Sequence, residues 1–418
     1  MYAVESPMQG TIVSVDVAPG DHVHEGQQLV VIESMKMEHV IAADHGGVVR
    51  GIEVGIGQTV QPGDPLVVVE AADVAAAAPI TSISVGGERH DLAEVEERHA
   101  LGLDAERPDA VARRRNTGQR TTRENVEDLI DPGSFVEYGP LVIAAQRRRR
   151  ELDDRSRRTP ADGLVAGIGT VNGHRTIVMS YDYTVLAGTQ GLQNHRKKDR
   201  LFELAERLQL PVVFFTEGGG GRPGDTDGSG VSGLDCLAFA LWGGLSGLVP
   251  LVGINSGRCF AGNAALLGVC DVVIATADSN IGMGGPAMIE GGGLGVYAPE
   301  DVGPMAVQVP NGVVDVAVAD EAEAVAVARQ YLSYFQGRMP AWDCSDQAGL
   351  RSVIPENRLR AYDVRRAVEG LADTGSVLEL RREFGLGMVT ALVRVEGRPM
   401  GLIANNPSHL GGAIDADG

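Results

Sequence analysis

One lysine stands between two methionines near the start of the chain, and its setting suggests a covalent attachment point. Lys36 follows Met35 and precedes Met37. The amine of an accessible lysine is a common target for enzymes that attach a group through an amide bond. A lysine with methionine neighbours is otherwise an ordinary surface residue, so the chemistry depends on the surrounding structure.

Lys36 lies between two copies of one sequence pattern. Residues 10–33 repeat at residues 47–70, with matching glycines, matching valines and a glutamate at the end of each copy. Short β-branched runs separated by Pro-Gly and Gly-Asp turns predict strands. The duplication predicts two similar antiparallel sheets that face each other, joined by an exposed hairpin that carries Lys36. A modifying enzyme could reach such a hairpin easily.

Two glycine-bearing loops are the second place where we expect chemistry. Residues 216–224 follow a predicted buried strand, and residues 257–263 follow the next one. Glycines before a helix let backbone N–H groups point at a ligand oxygen without interference from a side chain. The phosphate-loop pattern with its lysine is absent, so an oxyanion hole with one donor from each loop fits better than a phosphate cradle. Simple tight turns remain an alternative.

Strands and helices alternate around these loops. Thr121 and Glu124 form a capping-box pattern for a helix that should end at Leu129. The alternation predicts an α/β domain with much parallel sheet. The expected strands are 164–171, 175–180, 211–215 and 251–254, and the expected helices are 193–208 and 232–242.

A second internal repeat divides this α/β region into two halves. Residues 163–189 align with 387–413, and the turn that begins at Asp131 aligns with the turn at Asp373. A complete second half would need further strands beyond Gly418. We therefore expect that the second half is only begun here, because the chain is truncated or because another polypeptide supplies the remainder.

Charge and composition disfavour several classes of protein. A net charge of −20 argues against a nucleic-acid binder, and the arginine-rich segment 147–158 also carries acids, so it predicts a solvated surface. A minor hypothesis is that its arginines meet a phosphate-bearing ligand. Glycines and a proline break the longest apolar run, 237–254, which predicts a helix and a strand instead of a membrane span. We expect a cytoplasmic protein without a signal peptide, disulfide framework or metal site.

Residues 1–72 resemble a biotinyl carrier domain, an all-β flattened barrel. The resemblance is carried by Ser-Pro-Met-Gln-Gly at 6–10 and by Glu-x-Met-Lys-Met at the hairpin. Lipoyl domains share the fold but usually lack a methionine on both sides of the lysine. The resemblance implies a biotin amide on Lys36, flanked by Met35 and Met37, and a biotin protein ligase that attaches it. The alanine-rich residues 73–90 predict a flexible tether.

Residues from 91 onward resemble the carboxyltransferase of biotin-dependent acyl-CoA carboxylases, a doubled crotonase-like α/β fold. The first half would occupy 91–345 and the incomplete second half 346–418. The family pattern implies oxyanion-hole amides at Gly219, Gly220, Ala261 and Gly262. Asn263 departs from this pattern, because a small residue is more usual there. The matching stretches are 120–124, 131–135, 159–163, 218–222, 285–289 and 405–407.

Together the two resemblances imply a component of an acyl-CoA carboxylase that moves CO2 from biotin on Lys36 to the α-carbon of an acyl-CoA. A separate biotin carboxylase subunit would use ATP and bicarbonate to load the biotin, and the active site would form within a homo- or hetero-oligomer. The same half-reaction run backwards would define a decarboxylase or transcarboxylase component. A truncated carrier that only docks on partners is the third alternative. The sequence does not specify the acyl group.

Overall fold

The chain forms two compact units, Met1–Arg89 and His90–Gly418. A computed structural model describes residues 1–74, 89–228 and 236–418. Most of the predicted tether and the first residues of the helix predicted at 232–242 lie outside this described part.

Residues 1–74 of the first unit form eight short strands in two four-stranded antiparallel sheets, ordered β1-β8-β6-β3 and β5-β4-β2-β7. Repeat-related strands occupy equivalent places in the two sheets, which confirms the prediction of two similar sheets. Leu29 and its repeat partner Leu66 are both fully buried between them. The strands are β1 Tyr2–Glu5, β2 Gly10–Val15, β3 His22–Val23, β4 Gln28–Ser34, β5 Met37–Ala42, β6 Gly47–Ile52, β7 Thr59–Val60 and β8 Pro65–Ala71.

Three helices open the second unit: α1 His90–Ala100, α2 Pro108–Asn116 and α3 Thr122–Leu129. The predicted capping box is present at α3. The Thr121 hydroxyl accepts from the Glu124 N–H at 3.2 Å, and the Glu124 carboxylate accepts from the Thr121 N–H at 2.8 Å. The helix ends at Leu129, as predicted, because both ends carry the local signals that specify them.

A seven-stranded sheet, ordered β17-β15-β13-β12-β11-β10-β9, forms the centre of this unit. Neighbouring strands from β11 to β17 run parallel, which confirms the predicted α/β class. The strands are β9 Val136–Glu137, β10 Leu164–Val171, β11 His174–Tyr181, β12 Val212–Phe215, β13 Leu251–Asn255, β14 Arg258–Phe260, β15 Val272–Thr276, β16 Asn280–Gly282 and β17 Val316–Val318. The helices are α4 Leu152–Arg158, α5 Leu192–Leu208, α6 Ala238–Gly244, α7 Gly262–Gly268, α8 Pro286–Gly291, α9 Met305–Gln308 and α10 Glu321–Ser333.

One predicted turn contains more structure than the sequence indicated. Within 257–263 the short strand β14 pairs in parallel with β16, outside the main sheet. Helix α7 then begins at Gly262. The turn prediction was wrong here because the pairing partner, β16, lies further along the chain and leaves no local signal.

The second repeat is a three-stranded antiparallel sheet, built from β18 Leu378–Leu380, β19 Met388–Val395 and β20 Arg398–Asn405 after helix α11 Arg365–Leu371. It repeats β9, β10 and β11. The hydroxyl of Ser134 accepts from the Thr170 N–H, and that of Ser376 from the Arg394 N–H, both at 3.0 Å. The same hydrogen bond in both copies confirms the predicted duplication.

The remaining surface features follow the sequence closely. The exposed arginines of α4 form ion pairs with carboxylates four residues away, as expected for a solvated surface. Arg155 is an exception, because its side chain is buried. The run 237–254 forms α6 and β13, and among the described residues no helix is long and apolar enough to cross a bilayer. Burial raises the pKa of the Cys259 thiol to about 12, so that this cysteine is unreactive.

Candidate functional site

Lys36 lies at the tip of the two-residue hairpin between β4 and β5. Ser34 pairs with Met37, so only Met35 and Lys36 form the turn, with φ values of 53° and 66°. Two successive positive φ values are typical of a type I′ turn, whose twist matches that of the flanking strands. Lys36 is exposed, Met35 is 94% exposed and Met37 is 65% exposed. The predicted exposed hairpin is therefore confirmed, and the lysine amine is accessible.

The structure brings the two glycine loops side by side. The Gly218 N–H donates to the Arg258 carbonyl at 2.8 Å, and the Gly218 carbonyl accepts from the Phe260 N–H at 2.9 Å. These hydrogen bonds form a parallel bridge between the segment after β12 and strand β14. The two loops are therefore adjacent, and backbone groups of both lie close enough to act on one ligand.

Three of the four predicted oxyanion amides already donate to protein oxygens in this structure. A satisfied N–H group has no remaining hydrogen to offer a substrate. Which amides are satisfied depends on contacts with loops elsewhere in the chain, so the sequence alone could not distinguish them. The hydrogen bonds are Gly219 N–H to Ala187 O at 3.1 Å, Gly220 N–H to Asn263 Oδ1 at 3.0 Å and Ala261 N–H to Gly282 O at 3.0 Å.

The fourth predicted amide, that of Gly262, is not hydrogen-bonded within the described residues. The Gly262 N–H, at the start of α7, has no acceptor within the described part of the chain. The same holds for the N–H of Gly221 in the first loop, a residue for which the sequence predicted no role. These two groups supply one unpaired donor from each loop, the arrangement that an oxyanion hole requires.

Gly220 keeps the space next to these donors open. Its φ of +85° favours glycine, and a Cβ atom added to it would lie 2.7 Å from Ala261 Cβ and 3.4 Å from the Gly262 nitrogen. Any side chain at this position would press on the turn that presents the Gly262 N–H. The glycine is therefore required both for its backbone conformation and for the close approach of the two loops.

Asn263 holds the loops together through four hydrogen bonds. The side chain is fully buried, and it uses its donors and acceptor completely. Its carboxamide oxygen accepts from Gly220 N and Gln190 Nε2, at 3.0 and 3.1 Å, and its nitrogen donates to Gly188 O and Thr216 O, at 3.3 and 3.1 Å. The departure from the family pattern thus corresponds to a specific structural role. The sequence did not reveal this role, because the partners lie in two distant segments, 188–190 and 216–220.

A buried lysine supports the same network. The ammonium of Lys198, on α5, is fully buried and donates to the Tyr181 hydroxyl at 2.6 Å and to the Gln190 carboxamide oxygen at 2.8 Å. Gln190 in turn donates to Asn263, so the lysine orients the amide chain that reaches Gly220. Burial lowers the pKa of Lys198 to about 7. Its helical spacing from the buried Leu201 and Ala205 was the available sequence signal.

The shifted pKa of Lys198 predicts a pH-dependent contribution to stability. Its pKa is about 7 in the folded chain and 10.5 ordinarily. Between these values the unfolded chain binds a proton that the folded chain does not, so stability rises with pH. We expect the free energy of unfolding of the wild type, relative to Lys198→Met, to increase by roughly 2 kcal/mol from pH 7 to 9 in urea titrations. Parallel pH profiles for the two proteins would contradict this prediction.

Buried ion pairs fix both ends of the first glycine loop. Glu217 contacts Arg114 at 2.9 Å at its start, and Arg222 pairs with Asp162 at its end. Burial raises the pKa of Glu217 to about 7. These contacts hold the loop in one conformation, which preorganises its amides before a ligand arrives.

Comparison with protein-family profiles matches both units. Residues 2–69 match the family described as biotin-requiring enzyme, and residues 113–418 match the carboxyl transferase domain. The two matches cover the lysine hairpin and both glycine loops.

Solved and curated proteins show the same similarity. A single-chain, multi-domain long-chain acyl-CoA carboxylase is 58% identical, with a TM-score of 0.77 over 100% of this chain and 40% of that one. A transcarboxylase 12S structure, described as a hexamer assembly with hydrolysed methylmalonyl-coenzyme A bound, has 26% identity and a TM-score of 0.66 over 78% of this chain and 66% of that one.

A curated relative is the biotin-dependent long-chain acyl-CoA carboxylase beta4 subunit of Mycobacterium tuberculosis (strain ATCC 25618 / H37Rv). It is 30% identical over 353 residues, which cover 78% of this chain and 62% of the relative. The chain spans about three-fifths of the length of the curated relatives it matches first, with shares of 59%, 65% and 62%.

Proposed function

This chain belongs to the carboxyl transferase family and also carries a biotin-requiring domain, and from this premise we propose that it combines the carrier and carboxyltransferase parts of a biotin-dependent acyl-CoA carboxylase. The observation that carries the proposal is the presence, in one chain, of an exposed attachment lysine and a pair of unpaired amides in adjacent glycine loops. The 58% identity to a long-chain acyl-CoA carboxylase favours a long-chain acyl-CoA as substrate.

The lysine hairpin fits the attachment of biotin. Lys36 stands on a turn with left-handed backbone, its two methionine neighbours are exposed, and the amine is open to a biotin protein ligase. When attached, biotin supplies a nitrogen that accepts and releases a carboxyl group. The contribution of the chain is to present this group away from the body of the carrier sheets.

The amide pair would act on the thioester. Loss of the α-proton of an acyl-CoA places negative charge on the thioester oxygen, and the N–H groups of Gly221 and Gly262 would donate to it. Mutational loss of one such donor typically costs about 10²–10³ in kcat. Asn263 and Gln190 hold the loops in position. The carboxyl group given up by the biotin nitrogen would become bonded to the α-carbon, and that nitrogen would take the α-proton.

The proposal includes partners and an alternative. A biotin carboxylase that uses ATP and bicarbonate would load the biotin, and assembly into an oligomer is proposed by similarity to the 12S hexamer. The similarity to a transcarboxylase also favours a second candidate, transfer between two acyl-CoA molecules without ATP. Carboxylation by the chain together with a biotin carboxylase, assayed with and without ATP, separates these two functions.

Transfer of a labelled carboxyl group tests the proposal directly. The chain, co-produced with a biotin protein ligase, is incubated with a 2-carboxyacyl-CoA that carries 14C in the free carboxyl group. We expect acid-labile label on the protein, at least a hundredfold above the unbiotinylated chain, and no label after avidin is added. A biotinylated chain that takes no label from either long-chain or short-chain donors would contradict the proposed function.

A further inference from the structure

Ala261 has a backbone conformation that residues other than glycine rarely adopt. Its φ is 52° and its ψ is −121°. Ala187 and Gln209 also have positive φ values, but their ψ values of 39° and 50° place them in the ordinary left-handed region. The angles of Ala261 lie outside that region and match the first central position of a type II′ turn, which favours glycine. The backbone of Ala261 is therefore strained.

The strained residue stands between strand β14 and helix α7, at the turn that presents the Gly262 amide. The strand ends at Phe260 and the helix begins at Gly262. Enzymes of the α/β-hydrolase class place a nucleophile on a strained strand-to-helix turn of this kind. Ala261 carries only a methyl group, so the turn offers no nucleophile, and the group that it presents is the N–H of the next residue. Backbone strain clusters at active sites, so its presence here points to a functional role.

Contacts with three other parts of the unit hold Ala261 in this conformation. Its N–H donates to the Gly282 carbonyl of β16 at 3.0 Å, and its carbonyl accepts from the Ala265 N–H of α7 at 2.9 Å. Its methyl group lies against Gly220 in the first glycine loop, where an added Cβ atom would lie 2.7 Å from it. The backbone of Ala261 therefore cannot relax to an unstrained conformation without losing these contacts.

The ψ angle of Ala261 sets the direction of the Gly262 N–H. The Ala261 carbonyl and the Gly262 N–H belong to one peptide unit, which is planar and trans, so they point in opposite directions. The carbonyl points into α7, toward the Ala265 N–H, and the Gly262 N–H therefore points away from the helix. A ψ in the ordinary left-handed region would rotate this peptide unit by roughly half a turn and aim the N–H elsewhere.

Alanine restricts this rotation more than glycine would. Glycine populates a wider range of φ and ψ, so a glycine at position 261 would be free of strain but also less confined. A donor that is already held in place needs no reorganisation when negative charge develops on the thioester oxygen. Alanine therefore destabilises the turn but keeps the Gly262 N–H preorganised.

We propose that Ala261 is a positioning residue for carboxyl transfer: its strained backbone aims the Gly262 N–H at the thioester oxygen, and its methyl group keeps that direction fixed. Ala261 acts through its neighbour, because its own N–H is already bonded to Gly282. The role rests on the proposed function and adds to it the residue that sets the direction of one donor.

Ala261→Gly in the full, biotinylated chain tests this role, because a merely structural residue would lose stability along with activity. We expect kcat for labelled-carboxyl transfer to fall by about tenfold or more, since the donor is no longer held in alignment with the developing charge. KM should stay within about twofold, because the lost interaction forms mainly in the transition state. The midpoint of urea unfolding should rise or stay equal, because release of strain offsets the greater freedom of glycine in the unfolded chain.

Gln209→Gly is the matched control. Gln209 has a φ of 50° and a ψ of 50° at the C-terminal cap of α5, so glycine relieves a left-handed residue there as well. Its side chain is exposed and donates to the Glu206 carbonyl of the same helix. The urea midpoint of this variant should likewise not fall, and its kcat should equal that of the wild type.

The outcomes distinguish the role of Ala261 from the proposed function. If Ala261→Gly transfers label as fast as the wild type at saturating donor, the role is wrong and the proposed function stands. A lower kcat together with a lower urea midpoint would mean that alanine only supports the fold, which would also overturn the role. If the biotinylated wild type takes no label from either long-chain or short-chain donors, both proposals fail.

Discussion

A Lys36→Arg chain co-produced with a biotin protein ligase should keep its unmodified mass, whereas the wild type should gain the mass of one biotin amide. Arginine keeps the positive charge and can adopt the same turn conformation, but its guanidinium does not form the amide. The chain has only three lysines, and the other two, Lys197 and Lys198, are buried. Intact-mass spectrometry should therefore show a complete loss of modification, and the labelled-carboxyl assay a complete loss of transfer.

A lysine introduced at another exposed position of the first unit provides the control. Arg50 lies in strand β6, about half exposed and paired with Glu70, so Lys36→Arg/Arg50→Lys restores an accessible amine away from the hairpin. We expect this double variant to remain unmodified, because the ligase must recognise the hairpin as well as the amine. Modification of either variant, or an unmodified wild type, would overturn the assignment of Lys36 as the carrier residue.

The carrier unit could be predicted almost completely, because its determinants are local or repeated. The pairs Leu29 and Leu66, or Gly10 and Gly47, appear in the sequence as two copies of one pattern, and a pattern with two copies must fold into two similar sheets. The capping box at Thr121 is equally local, since both of its hydrogen bonds join residues three positions apart. Signals of this kind need no knowledge of the tertiary structure.

The amide site could be predicted only in outline. Glycine loops after buried strands are visible in the sequence, but the state of each N–H depends on distant partners such as Ala187 and Gly282. Asn263 contacts Gln190, which is 73 residues away, and Lys198 acts on the loop only through Gln190. A chain of hydrogen bonds across several elements leaves no periodic or local trace, so the sequence could indicate the loops but not which of their N–H groups are left unpaired.

Gly220→Ala should reduce carboxyl transfer by about 10² or more while leaving biotin attachment at Lys36 unchanged. The new Cβ would lie 2.7 Å from Ala261 Cβ, closer than real side chains approach, so the turn ahead of Gly262 must shift. A shifted turn no longer aims the Gly262 N–H at the developing charge, and a misplaced oxyanion donor costs about as much as a missing one. Because this hydrogen bond strengthens in the transition state, the loss should fall mainly on kcat and less on KM.

Gly118→Ala is the control that distinguishes the steric contact of a Cβ at position 220 from backbone strain alone. Gly118 has a φ of +76° and no neighbouring atom within 4 Å of the place that a Cβ would take, whereas Gly220 has a φ of +85° and a crowded Cβ position. Alanine should cost both sites a similar backbone penalty, about 1 kcal/mol, so both variants should lose stability in urea titrations. Only Gly220→Ala should lose transfer. Equal activity of the two variants would mean that the Gly262 amide does not act on the substrate, and the donor pair would have to be sought elsewhere in the loops.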